Sequence, residues 1–486
     1  MTINGLAAET RWTDATDQAE LVASGQVTAA ELTQAAIERI EALNPALNAV
    51  VMEWFDQARE TAASAEGLPA GPFRGVPFLL KDFMAACAGR PMSNGNHRLR
   101  DLAPVSPVDS TLVRRFREAG LVIVGRTNTP EFAAQPTTEP RAWGATRNPW
   151  HPGHSTGGSS GGAAAAVAAG MVPVAHASDG SGSIRIPAAC CGVVGLKPSR
   201  GRISAGPLGD EAGPGVELCV SRTVRDTAAM LDAVHGPGVG DLVVAPAPRR
   251  PYTRELGADP APLRIGLLDR TPAGDPVHPD CERAVREAAH LLEDLGHHVE
   301  SAYPAALADA EAGDRIALAA AAPMAGSFRQ LADALGRDLT EEDMEPVSWA
   351  RYQKARRTSA VEYAQALAVC ARFRRGVQQW WADGHDLLLT PTTALPAAPI
   401  GSFPDDLDTV DSLTAGYIAF TRPFNITGQP AISVPLSWNE DGLPIGVQLV
   451  AAHGREDVLI SVAAQLERAR PWAHRTVPLL EPSNVS

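Results

Sequence analysis

The stretch from residue 153 to residue 206 is dense in glycine and serine and holds one short apolar run, Ala163 to Ala169. Within it, Gly157-Gly-Ser-Ser-Gly-Gly162 sets four glycines around two hydroxyls, which frees the backbone for positive φ and close approach. A phosphate loop needs a lysine followed by Ser or Thr after its second glycine, and alanines follow here. The same residues satisfy G-x-S-x-G in two registers, a weak signal for a nucleophile elbow because no later histidine stands in a suggestive context.

The surrounding chain reads as layered α/β. Thr28-x-x-Glu31 is a capping box opening a helix with Leu32, Ala36, Ile40 and Leu43 on one face, closed at Asn44-Pro45. The apolar runs at 75–82 and 121–125 predict strands in the middle of a covered sheet, the first ending in Lys81. Proline, glycine and arginine gather over 237–262 as a surface connection. Strand and helix alternate again over 263–268 and 281–295, and residues 309–385 are helical in pattern, as a cap or insertion would be. Strands return at 386–390, 431–436 and 445–451 before a helix over 457–469. The reading is one large α/β domain over 1–486 with a central twisted mixed β-sheet covered by helices. Residues 1–74 form a helical N-terminal region, 75–236 a catalytic core and 309–385 the helical insertion.

Composition removes several function classes. The chain of 486 residues carries a net charge of −14 and gathers no basic stretch able to follow a phosphate backbone, so nucleic acid is not an expected partner. No secretory signal and no apolar run of membrane-spanning length is visible, which makes a cytoplasmic protein the expectation. Six cysteines form no CxxC pair and no metal spacing. No metal, nucleotide or redox cofactor is implied.

A second cluster, Ser178-Asp-Gly-Ser-Gly-Ser-Ile-Arg-Ile-Pro187, lies downstream of Ser159. Successive N–H groups of Gly180, Ser181, Gly182 and Ser183 are placed to converge on a developing oxyanion, each worth about 3 kcal/mol in a transition state. A serine nucleophile needs a base, and Lys81 at the end of an apolar strand is a candidate because burial favours its neutral form. Other residues read as structural: Lys197 as part of a Lys-Pro-Ser surface turn, and His154 and His176 as satisfied hydrogen-bonding groups. Trp380-Trp381 suits either core or an apolar pocket wall.

Taken together, Gly157 to Gly162, Ser178 to Pro187 and Gly195-Leu-Lys-Pro-Ser-Arg-Gly-Arg202 resemble the amidase signature family. The likeness extends to 75–82, Gly125-Arg-Thr-Asn-Thr-Pro-Glu131 and Gln429-Pro-Ala-Ile-Ser-Val-Pro435. It implies a Ser-cisSer-Lys triad with Ser183 as nucleophile, Ser159 as bridge and Lys81 as base, hydrolysing a small-molecule amide through an acyl-enzyme. It also implies an oxyanion hole at Gly180, Ser181 and Gly182, with Asp179 and Arg185 bracing that loop and Ser160 holding the glycine-rich turn. A homodimer is in keeping with it. Within the family, Thr138 to Pro149 and Ala451 to Asp457 look most like the 6-aminohexanoate cyclic-dimer hydrolases, although Ala134 stands where that subgroup would place an asparagine. The same motifs also resemble the amidase subunit of tRNA-dependent amidotransferases, and a non-catalytic binding protein on this fold is the remaining alternative.

Overall fold

The computed structural model describes residues 3–64, 68–209, 213–321 and 324–477. The ends of the expected domain and residues 322–323 of the expected insertion lie outside them. Eleven strands share a single mixed sheet: β1 Val50–Glu53, β2 Pro77–Lys81, β3 Val122–Thr127, β4 Val174–Asp179, β5 Val194–Lys197, β6 Val216–Ser221, β7 Arg264–Leu267, β8 His298–Glu300, β9 Leu387–Pro391, β10 Ala431–Trp438 and β11 Pro444–Ala451. Their order is β1-β3-β2-β4-β6-β5-β10-β11-β9-β7-β8. Parallel pairing of β2 with β3 and β4, and of β7 with β8 and β9, flanks an antiparallel centre.

Both faces of the central strands are covered. Every residue of β2, β4, β5, β9 and β11 is buried, which accounts for continuous apolar runs in place of a two-residue alternation. The alanine-rich run forms the helix Gly161–Ala168, buried along its whole length. Its small residues let it lie almost on the sheet: a Cβ at Gly162 would stand 2.4 Å from the backbone nitrogen of Asn128. That contact fixes where the helix begins, and therefore where the serines just ahead of it sit.

Three expectations change. The helix opened by the Thr28–Glu31 box runs through Pro45 to Leu47 and is capped by Asn48 in the left-handed conformation, because a proline in the last turn sacrifices one hydrogen bond that packing outweighs. The N-terminal region is not wholly helical, since it supplies β1 at the edge of the sheet. Lys197 is not at the surface. It ends β5 in mid-sheet with 1% exposure, where burial first, and the charge of Arg185 second, hold its amine well below the ordinary lysine range.

The 309–385 segment is helical as expected: Ala310–Ala321, Met324–Leu335, Pro346–Arg357 and Ala360–Ala382. Trp381 is buried in a satellite core, and Trp380 stacks on His385 and lies against Gly266. The tryptophan pair therefore packs as core. Among the described residues no helix is long and apolar enough to cross a membrane, and no cluster of His, Cys, Asp and Glu has metal-binding geometry.

Candidate active site

The parallel strands β2 and β4 end side by side, paired at Leu79 and Ala175, so their carboxyl ends bring residues nearly a hundred positions apart into contact. Lys81, the last residue of β2, is fully buried. Its Nζ lies 2.7 Å from Ser159 Oγ and 3.0 Å from Ser178 Oγ. Burial pushes the amine down to about 7, against the opposing charges of Asp179 and Glu217. Its backbone N–H donates to His176 Nδ1 at 3.2 Å, and His176 Nε2 pairs with Glu217 Oε1 at 3.1 Å. Burial lowers the His176 pKa, so a neutral ring with its remaining proton toward Glu217 fits these partners. His176 is a satisfied hydrogen-bonding group, as expected.

Ser159 follows a cis Gly158–Ser159 peptide bond in the glycine-rich turn. Ser160 ties that turn to the end of β4: its Oγ donates to Ser178 O at 3.2 Å and accepts from Ser178 N at 3.3 Å. The Ser160 amide donates to Ser183 O at 3.2 Å. Ser183 is thereby held beside Ser159 through backbone, is half-buried, and has no side-chain hydrogen bond to Ser159. Lys81 and Ser159 are in direct contact; Ser183 stands next to them with a free hydroxyl.

The turn after β4 is organised by Asp179. Arg185 grips this carboxylate in two bonds of 2.9 Å, Asn425 Nδ2 donates to it at 2.9 Å, and Gly182 N donates to it at 2.7 Å. Burial alone would raise the Asp179 pKa, yet the Arg185 guanidinium overrides it and holds the group at about 2. Arg185 is in turn satisfied by Gln448 Oε1 and Asn425 Oδ1, both at 2.7 Å. Gly182 differs from the expectation: its amide is engaged by Asp179 and does not face the cleft. The amides of Gly180, Ser181 and Ser183 have no hydrogen-bond partner among the described residues. Thr421 Oγ1 donates to Ser181 O at 2.6 Å and fixes the turn from the far side.

Sequence reasoning missed Ser178, Thr421, Asn425 and Gln448. Gln448 did carry a signal, as a single amide inside the apolar run Ile445 to Val450, because a buried amide must find partners. Thr421 and Asn425 carried none, since only the fold brings them to residue 181 and residue 179.

This fold and this site define an amide-cleaving hydrolase, and the chain belongs to the amidase family, whose description, Amidase, matches residues 31–460. The chain is 44% identical to the 6-aminohexanoate-cyclic-dimer hydrolase of Paenarthrobacter ureafaciens over 97% of its own length and 98% of that relative. A 6-aminohexanoate cyclic dimer hydrolase solved in complex with substrate matches with a TM-score of 0.93 at 44% identity, over 97% of this chain and 100% of that one. A bacterial aryl acylamidase of the amidase signature enzymes matches with a TM-score of 0.87 at 31% identity, over 96% and 99%.

Proposed function

We propose that this hydrolase opens small cyclic or linear amides of the 6-aminohexanoate cyclic-dimer kind through an acyl-enzyme on Ser183. The carrying observation is the buried Lys81 amine, with a pKa near 7 and its Nζ 2.7 Å from Ser159 Oγ. Neutral Lys81 takes the proton of Ser159, which takes that of Ser183 as the Ser183 oxygen bonds to the amide carbon. The free amides of Gly180, Ser181 and Ser183 receive the developing oxyanion, each contributing about 3 kcal/mol. The C–N bond then breaks as the relayed proton passes to the leaving nitrogen. Water, losing a proton to the same relay, attacks the Ser183 ester and releases the acid, and the proton returns to Ser183. The Ser159–Ser183 contact, open in the free site, closes when substrate turns the Ser183 hydroxyl, since catalytic hydrogen bonds commonly tighten only in the bound complex.

Likeness to a hydrolase along 98% of its length favours this reading over an amidotransferase subunit. Six free, buried cysteines support a cytoplasmic setting. A homodimer goes with the reading, and sedimentation velocity giving only monomer would remove it. The test of the chemistry is turnover of 6-aminohexanoate cyclic dimer and of an aryl acylamide by wild type and Ser183→Ala, with intact mass spectrometry for the adduct. Turnover should vanish in the variant and the wild type should carry the acyl group on Ser183; undiminished turnover in the variant overturns the assignment.

A further inference from the structure

Arg422 begins the helix Arg422–Thr427, directly after the threonine that holds the Ser181 carbonyl. Its guanidinium makes no hydrogen bond and no ion pair among the described residues, and its Nε is buried without a partner. The nearest charges are Asp411 and Arg351. Asp411 is already engaged by Arg351 Nη2 at 3.0 Å, and Arg351 Nη1 donates to the Ala134 carbonyl at 2.5 Å. Ala134 adjoins Gln135, whose carbonyl lies against Gly158 in the serine turn. One carboxylate thus serves two arginines, and the unpaired one lies between the two loops that carry Ser159 and Ser183.

A largely buried guanidinium without a counter-ion is costly unless something pairs with it. Burial brings Arg422 down to about 10, so it remains cationic at neutral pH. The planar fork of arginine matches a carboxylate bidentately.

We infer that Arg422 is a specificity-determining residue that binds a carboxylate on the substrate, so that the site prefers amides bearing an acid group over matched neutral amides. This rests on the reading of the cleft as the amide-cleaving site and names its substrate class. An acid on the acyl portion and an acid on the amine portion are both compatible with that chemistry, and the two substrate pairs below separate them.

The experiment compares kcat/KM for glutaric acid monoanilide against pentananilide, and for N-acetyl-6-aminohexanoate against its primary amide. In at least one pair the wild type should favour the acid about tenfold or more, chiefly through KM. Arg422→Gln should abolish that preference while keeping the neutral substrate within about threefold, and Arg422→Lys should restore part of it. Absence of preference in both wild-type pairs, a preference that survives Arg422→Gln, or an equal loss for acid and neutral substrates overturns the inference. Calorimetric binding of the same four compounds to Ser183→Ala, with and without Arg422→Gln, is the arm that is independent of turnover. Acid binding there should weaken about tenfold with Arg422→Gln while neutral binding is unchanged; equal binding overturns the inference. A Ser183→Ala protein that still turns over amides refutes only the nucleophile assignment.

Discussion

At the scale of single residues the decisive quantity is the charge on Lys81. With its amine near 7, kcat/KM should climb as pH rises through about 7 and level off above it. Glu217 raises this pKa, so Glu217→Gln should move the inflection toward lower pH; an unmoved or upward shift would show that another group sets the profile. The same shift bears on stability. Between about 7 and 10.5 the unfolded chain binds a proton that the folded chain does not, so this group's contribution improves as pH rises through that window. At pH 8 the burden is about 3 kcal/mol. Lys81→Met should therefore abolish turnover and still raise the thermal midpoint by several degrees, read by calorimetry at pH 8; a lowered midpoint would mean that the lost bonds to Ser159 and Ser178 matter more than desolvation.

At the scale of elements the turn after β4 depends on which of its glycines lacks room for a side chain. Gly182 has φ +132°, and a Cβ there would lie 2.4 Å from Thr421 Oγ1. A Cβ at Gly180 meets nothing within 4 Å. Gly182→Ala should displace the turn, lower kcat about a hundredfold and lower the melting temperature, whereas Gly180→Ala should keep the wild-type melting temperature. Equal midpoints for the two variants would show that the turn is more pliant than this packing implies. The distinction could not be read from Asp179-Gly-Ser-Gly-Ser183, where the two glycines look equivalent. Their difference comes from Thr421, more than two hundred residues away.

At the scale of the molecule, the sheet draws its strands from nearly the whole chain, while the helices over 310–357 attach through few polar links. One of them is Glu131, which follows β3 and accepts from Asn96 Nδ2 at 2.7 Å and from Glu345 N at 2.8 Å. Burial, then the charge of Glu345, raises this carboxyl to about 7. Glu131→Ala leaves the buried Glu345 amide without its acceptor, at a cost of about 2 kcal/mol. Hydrogen exchange should accelerate over 341–357 while β2 and β4 stay protected; uniform acceleration would show that the insertion and the sheet open as one unit.

Local rules settled a good deal in the sequence alone. Unbroken apolar runs marked β2, β3, β9, β10 and β11 as buried strands, the capping box marked the start of a helix, and glycine with serine at 157–162 and 178–183 marked two turns able to approach a substrate closely. Those signals depend on neighbours within a few residues, and they survived folding. Tertiary structure alone decided which amides of the turn remain free, that Lys197 is buried rather than exposed, and that Arg422 is left without a counter-ion. Each of these depends on the low-dielectric interior and on partners brought in by strand pairing from distant parts of the chain, and no spacing along the sequence encodes such partners.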